Sequence, residues 1–449
     1  MSCSSGPSGY AAARAESRNH ANTTVHYVEG RPYFPVLNVD PSDEKAMIET
    51  SRTVLNAYCS SNITSDTMDV KVTRIAGGLT NALFKIDFPN TSVLVRIFGA
   101  EGMIDRDLET ATFARLCGTP HNGGTNPNGA DESSKKVVHP DLDMIGRFAN
   151  GRVESWIPNM RQSTMQDFDS NLMGGVARVL ARLHYGFEVP SYLYKAECRE
   201  VDGRRERIKV LRPNLWEVIY AWIDELKDSL AQDKFNTDLI QLFCEATLGR
   251  VGCSKEEIIA SLRQETKWLQ STVKMSHPDA TVAFTHNDLC TANILLDQSR
   301  DADPCIIDYE YGSISYTMYD VANFFCELCG GNDYGVPNIE LFPSMERQRQ
   351  FLKEYVTEKK RIVERVGNDR VDDISQLQSE IKLFQMASNL MWGIWGVLQA
   401  SGEVTIESFC KETAKLRLDG KIDDDSFDYL RYGMNRLKNY RICKESLSR

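Results

Sequence analysis

Three polar side chains lie in two short segments that follow apolar stretches of the chain. Asp288 and Asn293 are five residues apart in THNDLCTANILLD, and Asp308 ends the apolar run PCIID. A carboxylate can orient a hydroxyl and accept its proton, and carboxylate and amide oxygens are ligands that magnesium prefers. One base and two oxygen ligands are what phosphoryl transfer requires. His286, in the same loop, is predicted to shape the loop rather than to move protons.

Each of these residues has a simpler interpretation when it is taken alone. Asp and Asn at the ends of strands favour turns and are most often structural. Their order along the chain argues otherwise. A predicted strand leads into HNDL, Asn293 follows after three intervening residues, and Asp308 comes after two further predicted strands. The spacing from Asp288 to Asn293 equals that of D-L-x-x-x-N in the kinase catalytic loop. The joint pattern favours a phosphotransfer site over unrelated turns.

A second group of residues could bind the phosphates of a nucleotide. RIAGGLTNALFKI places Gly77 and Gly78 between two predicted strands, followed by Thr80 and Asn81. Glycines there let backbone N–H groups approach phosphate oxygens, although a Gly-Gly hairpin alone is usually only a turn.

Arg96 lies one strand later, in VLVRIFG, at the position where protein kinases carry a phosphate-pairing lysine. An inward arginine in an apolar strand is costly unless it is paired, and Glu109 on the following predicted helix is a candidate partner. The alternative is an arginine on an edge strand that faces solvent.

The elements that must position these residues change in character near residue 158. Before it, runs of alternating apolar residues predict short strands joined by hairpins, with helices at Ser42–Tyr58 and Ile104–Leu116. After it, helical spacing dominates, interrupted by the strand-like segments TVAFTH, NILLD and PCIID. The helices predicted in this second half are Leu172–His184, Pro213–Leu230, Asp238–Leu248, Lys255–Met275, 344–366, 371–400 and 423–441.

This pattern predicts an α+β, bilobal, protein-kinase-like fold with a small antiparallel-sheet N-lobe and a larger, mostly helical C-lobe. We assign residues 1–40 to a flexible tail and residues 41–158 to the nucleotide-binding lobe. A Gly- and Asn-rich stretch at about 117–140 is predicted to be a mobile insertion. Residues 159–449 form the predicted catalytic and acceptor-binding lobe.

Composition excludes several classes of function. The formal net charge of −11 argues against a nucleic-acid partner, because phosphate-backbone binding depends on clustered Lys and Arg. No apolar run is long enough to span a bilayer, and the N-terminus lacks the apolar core of a secretory signal. The 12 cysteines have no repeated spacing and predict reduced thiols, and the lone C-x-x-C at Cys326 and Cys329 predicts buried helix cysteines rather than a metal or redox site. We therefore predict a cytoplasmic protein.

The motifs taken together resemble the eukaryotic ethanolamine/choline kinase family. AGGLTN, VLVRIFG, GRVESWIP, THNDLCTANIL, IIDYEYGSISYTMYDVANFFCEL and MWGIW occur in family order from about Ile75 to Tyr432. The resemblance implies that ATP and Mg²⁺ are used, with Asp288 as the base for the acceptor hydroxyl. It also implies that Asn293 and Asp308 bind magnesium and that Arg96, paired with Glu109, contacts ATP phosphates. The same resemblance implies that Ile157 lies in the adenine hinge and that Asp320 braces the catalytic loop.

The acceptor pocket follows from the same resemblance. A small cationic alcohol is held by aromatic faces and a carboxylate, and Trp392 and Trp395 share one face of a predicted helix. Tyr311, Glu327 and Tyr432 match family pocket residues, whereas Tyr334 matches only loosely. From periodicity alone the tryptophans would be core residues, because this helix is apolar all round. The resemblance favours the pocket.

Ethanolamine and choline make different demands on such a pocket. A quaternary ammonium suits an aromatic box, whereas a primary ammonium has three N–H donors and requires acceptors such as Glu327. The segment from LCGGNDYG to LFPSMERQRQFLKEYV is more similar to ethanolamine kinases, so ethanolamine is favoured. Choline, or both alcohols, remain alternatives, as do a catalytically silent binding module and an aminoglycoside-type phosphotransferase. The resemblance also allows a homodimer.

Overall fold

The structure is a computed structural model in two compact units, Met1–Met160 and Arg161–Arg449. It describes residues 25–59, 69–75, 81–99, 104–118, 137–201, 204–232, 237–300, 302–330, 337–364, 372–403 and 427–447. Most of the predicted tail and most of the predicted insertion lie outside the described residues.

The described residues of the first unit form one sheet of seven strands and two helices. The strands are β1 His26–Val28, β2 Arg31–Phe34, β3 Lys71–Ile75, β4 Asn81–Phe88, β5 Thr91–Phe98, β6 Met144–Phe148 and β7 Gly151–Ser155. The helices are α1 Glu44–Cys59 and α2 Arg106–Leu116. The strand order is β1-β2-β6-β7-β5-β4-β3, and every neighbouring pair is antiparallel except β2 with β6, which is parallel.

The strands β1 and β2 lie inside the stretch that was predicted to be an irregular tail. Val25, Phe34 and Val39 from this stretch are buried in the same apolar core as strands β4 to β7. Strands of three and four residues are too short to show a clear alternation of apolar and polar residues. The ordered core therefore begins earlier in the chain than the sequence pattern indicates.

The second unit is mainly helical. Its helices are α3 Ser170–Gly186, α4 Leu215–Ala231, α5 Thr237–Leu248, α6 Lys255–Ser276, α7 Thr317–Glu327, α8 Met345–Val363, α9 Ile374–Glu403 and α10 Tyr429–Leu447. The remaining strands are β8 Met160–Gln162, β9 Lys195–Val201, β10 Arg204–Val210, β11 Val282–Thr285, β12 Ile294–Asp297, β13 Cys305–Ile306 and β14 Ser313–Tyr316. A sheet-rich unit followed by a helical unit confirms the predicted α+β class.

Two short antiparallel pairs hold the central polar loops. Strand β11 pairs with β14, and β12 pairs with β13, so the loop between β11 and β12 has a hydrogen-bonded strand at each end. The hairpin of β9 and β10 was not predicted. Its segments KAECREV and RRERIKV are so rich in charged residues that they lack the apolar alternation of a half-buried strand.

Glycines allow α9 and α10 to pack at very short distance. A Cβ atom built on Gly396 would lie 2.7 Å from the Cα of Gly433 and 2.8 Å from the carbonyl oxygen of Tyr429. Only residues without a side chain permit this approach. It brings Trp395 on α9 close to Tyr432 on α10, with ring centroids 6.2 Å apart.

Among the described cysteines, the C-x-x-C pair follows the prediction and one other pair does not. Cys326 and Cys329 are free and buried. Cys244 of α5 and Cys253 are joined by a disulfide, with their Cα atoms 6.1 Å apart, so the prediction of reduced thiols is wrong for this pair. No helix in the described part of the chain is both long and apolar enough to cross a membrane.

Candidate active site

The loop between β11 and β12 is fixed in shape by its own polar residues. Thr285 donates from Oγ1 to Oδ1 of Asn287 over 2.8 Å, and Asn287 Nδ2 donates to the carbonyl of Tyr311 over 2.9 Å. Asn287 has a φ angle of 67°, a left-handed conformation that asparagine tolerates better than most residues. These contacts fix the backbone that leads into the next residue, Asp288.

Asp320 holds the same loop from beneath. Its carboxylate accepts hydrogen bonds from the backbone N–H groups of His286, at 2.8 Å, and Asn287, at 2.7 Å. Burial alone would raise the pKa of Asp320, but the hydrogen bonds from His184 and from the backbone N–H of His286 help to lower it overall. Helix α7 begins at Thr317 with Tyr316 as its N-cap, and Asp320 lies in its first turn.

His184 extends this support to two further helices. Its Nε2 lies 3.0 Å from Oδ2 of Asp320, and its Nδ1 lies 2.7 Å from the hydroxyl of Tyr355 on α8. A carboxylate only accepts hydrogen bonds, so Nε2 carries the proton and Nδ1 accepts from the tyrosine. Helices α3, α7 and α8 are thus connected to the loop through side chains that are all buried.

His286 uses both ring nitrogens inside the loop. Nε2 donates to the carbonyl of Ile307 over 2.9 Å, and Nδ1 accepts from the backbone N–H of Asp288 over 3.3 Å. Burial lowers the pKa of His286, which favours the neutral ring. The ring connects Asp288 to the strand that leads to Asp308.

Asp288, Asn293 and Asp308 lie around one polar region. Asn293 Nδ2 donates to the carbonyl of Asp288 at 2.8 Å and approaches its Oδ2 at 3.4 Å. Burial raises the pKa of Asp288 well above its ordinary value, and the negative charges of Glu327, Asp308 and Glu310 raise it further. Asp308 has a φ angle of 66°, a strained conformation of the kind that concentrates at functional sites.

The donor set of this region fits magnesium. Among the described residues, no three or more His, Cys, Asp and Glu side chains form a group that could hold a metal ion. Magnesium does not need such a cage, because it usually keeps several waters and binds one or two protein oxygens together with substrate phosphates. Asn293 and Asp308 offer two such oxygens. A cation there would also offset the charges that raise the pKa of Asp288.

An aromatic cluster adjoins these acids. The ring centroids of Tyr311 and Trp392 are 5.2 Å apart, as are those of Trp392 and Trp395. Trp395 donates from Nε1 to the Tyr311 hydroxyl over 3.1 Å, whereas the buried Nε1 of Trp392 has no hydrogen-bond partner in the described part of the chain. Trp222 of α4 adds a fourth ring, 6.2 Å from Trp392 and 6.4 Å from Tyr311.

Glu327 supplies a buried carboxylate at the end of α7. Its Oε1 accepts a hydrogen bond from the Tyr432 hydroxyl over 3.2 Å and lies 3.1 Å from Nη2 of Arg436. Burial raises the pKa of Glu327, although the charge of Arg436 opposes that effect. The negative charge of Glu327 also contributes to the raised pKa of Asp288.

The first unit contains a buried row of alternating charges. Arg96 Nε donates to Oε1 of Glu154 over 3.0 Å, and Arg152 Nε donates to the same oxygen over 2.7 Å. Arg152 also donates to Glu109 on α2. Burial would raise the pKa of Glu154, but Arg152 and Arg96 outweigh it and lower that pKa. Arg96 is therefore buried and paired on an interior strand, with Glu154 as a partner.

The other residues predicted on the nucleotide side are only partly described. Asn81 at the start of β4 is buried and accepts a hydrogen bond at Oδ1 from Arg106 over 3.1 Å. Ile157 is also buried. Gly77, Gly78 and Thr80 lie outside the described residues, as does Tyr334. The roles of all these residues, and the pairing of Arg96 with Glu109, remain predictions.

Sequence reasoning missed several residues of these networks. They are Arg152, Glu154, His184, Trp222 and Arg436. Arg152 and Glu154 alternate in GRVES, and this spacing alone indicates that both face the same side of the sheet. The other three lie on helices whose sequence gives no sign of their distant partners.

Comparison with known proteins identifies relatives that match most of the chain. Residues 134–441 match the family model described as choline/ethanolamine kinase. The chain is 26% identical over 399 residues to "Probable choline kinase 3" of Arabidopsis thaliana, covering 86% of this chain and 90% of that protein. It is likewise 26% identical over 403 residues to "Choline/ethanolamine kinase" of Rattus norvegicus, covering 85% and 82%.

Solved structures support the fold. An ethanolamine kinase from Plasmodium vivax superposes with a TM-score of 0.59 at 22% identity, covering 91% of this chain and 92% of that one. A choline kinase from Cryptosporidium parvum superposes with a TM-score of 0.56 at 20% identity, covering 89% and 96%. At these identities the similarity establishes the fold, and the predicted kinase-like architecture is confirmed.

Proposed function

The chain belongs to the choline/ethanolamine kinase family, and we propose that within this family it phosphorylates ethanolamine with ATP. The products are phosphoethanolamine and ADP, and the reaction is the first step of phosphatidylethanolamine synthesis through CDP-ethanolamine. The observation that carries the proposal is the buried carboxylate of Glu327, which accepts a hydrogen bond from Tyr432, whose ring centroid lies 6.2 Å from that of Trp395 in the aromatic cluster. A cytoplasmic location and a homodimer stay predictions.

Asp288 acts as the base in this proposal. The acceptor oxygen attacks the γ-phosphorus, the bond from that phosphorus to the β,γ-bridging oxygen breaks, and the hydroxyl proton passes to Asp288. The raised pKa of Asp288 makes its carboxylate a stronger proton acceptor than an exposed aspartate. Asp320 and His286 hold the loop so that Asp288 meets the hydroxyl without rearrangement.

Asn293 and Asp308 would hold magnesium. A bound Mg²⁺ neutralises charge that develops on the phosphate oxygens. The amide of Asn293 is oriented by its Nδ2 hydrogen bonds to Asp288, so Oδ1 would be the atom available to a metal ion. Asp308 contributes a carboxylate at a strained backbone position.

On the nucleotide side, we assign the ATP phosphates to Arg96 and to Gly77, Gly78, Thr80 and Asn81. Glu154 and Glu109 neutralise the buried guanidiniums and fix their direction. Ile157 would pack against adenine.

The acceptor site favours a primary ammonium. Tyr311, Trp392, Trp395 and Tyr432 offer aromatic faces to any cation. Glu327 adds a hydrogen-bond acceptor that a primary ammonium can use and a quaternary ammonium cannot. Choline is the second candidate, because the aromatic faces alone suit it.

One coupled ATPase assay tests the substrate. Ethanolamine, choline and an aminoglycoside are supplied separately, and we expect the largest kcat/KM for ethanolamine. A larger value for choline would reassign the substrate, and stimulation by the aminoglycoside alone would assign the chain to that other class of phosphotransferase. No stimulation by any of the three would favour a binding module that lacks catalysis.

Asp288→Asn tests the assigned base. The amide has the same shape, so ATP affinity is expected to change little, whereas kcat falls by about 100- to 10,000-fold because general-base catalysis is lost. The matched control is Asp228→Asn on an exposed position of α4, which should keep its turnover. Substantial turnover by the Asp288 variant would exclude Asp288 as the base.

A further inference from the structure

Arg436 is buried directly behind the acceptor carboxylate. Its side chain is 1% exposed, and Nη2 lies 3.1 Å from Oε1 of Glu327 and 3.0 Å from Oγ of Ser388. Ser388 in turn donates to Oδ1 of Asn323 over 2.8 Å. The guanidinium is thus fixed between α7, α9 and α10 by groups that are all buried.

These contacts divide the two oxygens of Glu327 into different tasks. Oε1 accepts from Tyr432 and faces Arg436. Oε2 has no hydrogen-bond partner among the described residues. A carboxylate held at one oxygen keeps its orientation, because rotation would break both contacts at once.

We propose that Arg436 is a positioning residue for the acceptor: it fixes Glu327 so that Oε2 receives an N–H of a primary ammonium. This inference rests on the proposed function and assigns part of its selectivity to a residue that does not touch the substrate. Arg436 also compensates a buried negative charge, since an unpaired carboxylate is costly in such surroundings.

Selectivity between the two alcohols follows from this geometry. A primary ammonium uses both the charge and the free oxygen of Glu327, whereas a quaternary ammonium uses only the charge. Loss of Arg436 therefore harms ethanolamine binding more than choline binding.

The test compares Arg436→Gln with Arg436→Lys in steady-state kinetics of the full-length chain. For the glutamine variant we expect KM for ethanolamine to rise by at least tenfold, KM for ATP to stay within twofold, and the ethanolamine-to-choline ratio of kcat/KM to fall. Lysine restores the positive charge and should recover most of the loss. A merely structural role would raise both KM values together and would not be rescued by charge.

Arg31→Gln is the matched control. Arg31 is also fully buried and lies 2.7 Å from a carboxylate oxygen of Asp143, but it belongs to strand β2. Arg31→Gln should lower thermal stability without changing the ratio of KM for ethanolamine to KM for ATP. Equal effects of the Arg31 and Arg436 variants on that ratio would overturn the proposal, as would an unchanged ethanolamine KM in Arg436→Gln.

Ser388→Ala keeps the proposal testable if Arg436→Gln does not fold. It removes one hydrogen-bond partner of Arg436 and retains the charge pair with Glu327. We expect about a threefold rise in ethanolamine KM and no change for ATP, and an unaltered ethanolamine KM would then reject the inference. If the wild-type chain phosphorylates neither alcohol, the proposed function itself fails.

Discussion

The close packing of α9 on α10 makes Gly396→Ala a sensitive probe of the proposed acceptor site. The new Cβ would lie 2.7 Å from the Cα and 2.8 Å from the nitrogen of Gly433, and 2.8 Å from the carbonyl oxygen of Tyr429. Ordinary carbon contacts are about 3.5–4.0 Å, so the gap must widen by roughly 0.7 Å or more. All three atoms belong to the backbone, which cannot rotate out of the way as a side chain can.

The expected free energy follows from two opposing terms. Alanine in place of glycine inside a helix stabilises by about 1 kcal/mol, whereas overpacking a close-packed interface costs about 1–3 kcal/mol. The net result for Gly396→Ala is a loss of up to about 2 kcal/mol. Separation of the helices should also move Trp395 from Tyr432 and raise the acceptor KM, while the ATP KM stays constant.

Gly174→Ala is the matched control for this prediction. Gly174 is also a buried helical glycine, but its new Cβ would meet only the ends of flexible side chains, at 3.4 Å from Arg178 Nη1 and from Glu354 Cγ. We expect it to be neutral or to gain up to about 1 kcal/mol. Urea unfolding of both variants measures the difference. If Gly396→Ala is as stable as Gly174→Ala, the helices do not approach as the structure shows.

Three further perturbations address other parts of the second unit. Trp395→Phe keeps a ring but removes the hydrogen-bond donor to Tyr311. The KM for the acceptor should therefore rise about threefold or more while the KM for ATP stays constant. An equal rise in both KM values would contradict a role at the acceptor. Asp320→Asn replaces the charged acceptor of two backbone N–H groups by a neutral one. The free energy of unfolding should fall by about 1–3 kcal/mol, and kcat should drop. An unchanged kcat would show that Asp320 does not orient the loop. Glu358 has its pKa lowered to about 2, first by its hydrogen bonds from Arg361, so its contribution is present above about pH 4.5 and is lost as pH falls through about 2. Glu358→Gln should lower the free energy of unfolding by about 1–2 kcal/mol at neutral pH, after allowance for the half-exposed Arg361. In urea titrations this difference between variant and wild type should shrink as the pH falls. A difference that does not depend on pH would refute the ion pair.

Local sequence determined much of the frame. Apolar spacing predicted most helices of the second unit to within a few residues, because each buries one face at the period of the helix. The predicted helix Lys255–Met275, for example, is observed as Lys255–Ser276. The charged hairpin β9–β10 and the strands before residue 40 escaped, because neither carries enough apolar alternation to be recognised.

The order of Asp288, Asn293 and Asp308 was likewise readable from the sequence, because these residues lie in two nearby loops whose spacing is set by short strands. Sequence could not show that His184 reaches Asp320, that Arg152 and Glu154 join Arg96, or that Arg436 stands behind Glu327. Each of those contacts joins side chains from separate elements, and their distances depend on how helices and strands pack. The chain thus specified the loop that bears Asp288 locally, whereas tertiary packing alone decided which charges fix that loop and which side chains contact Glu327.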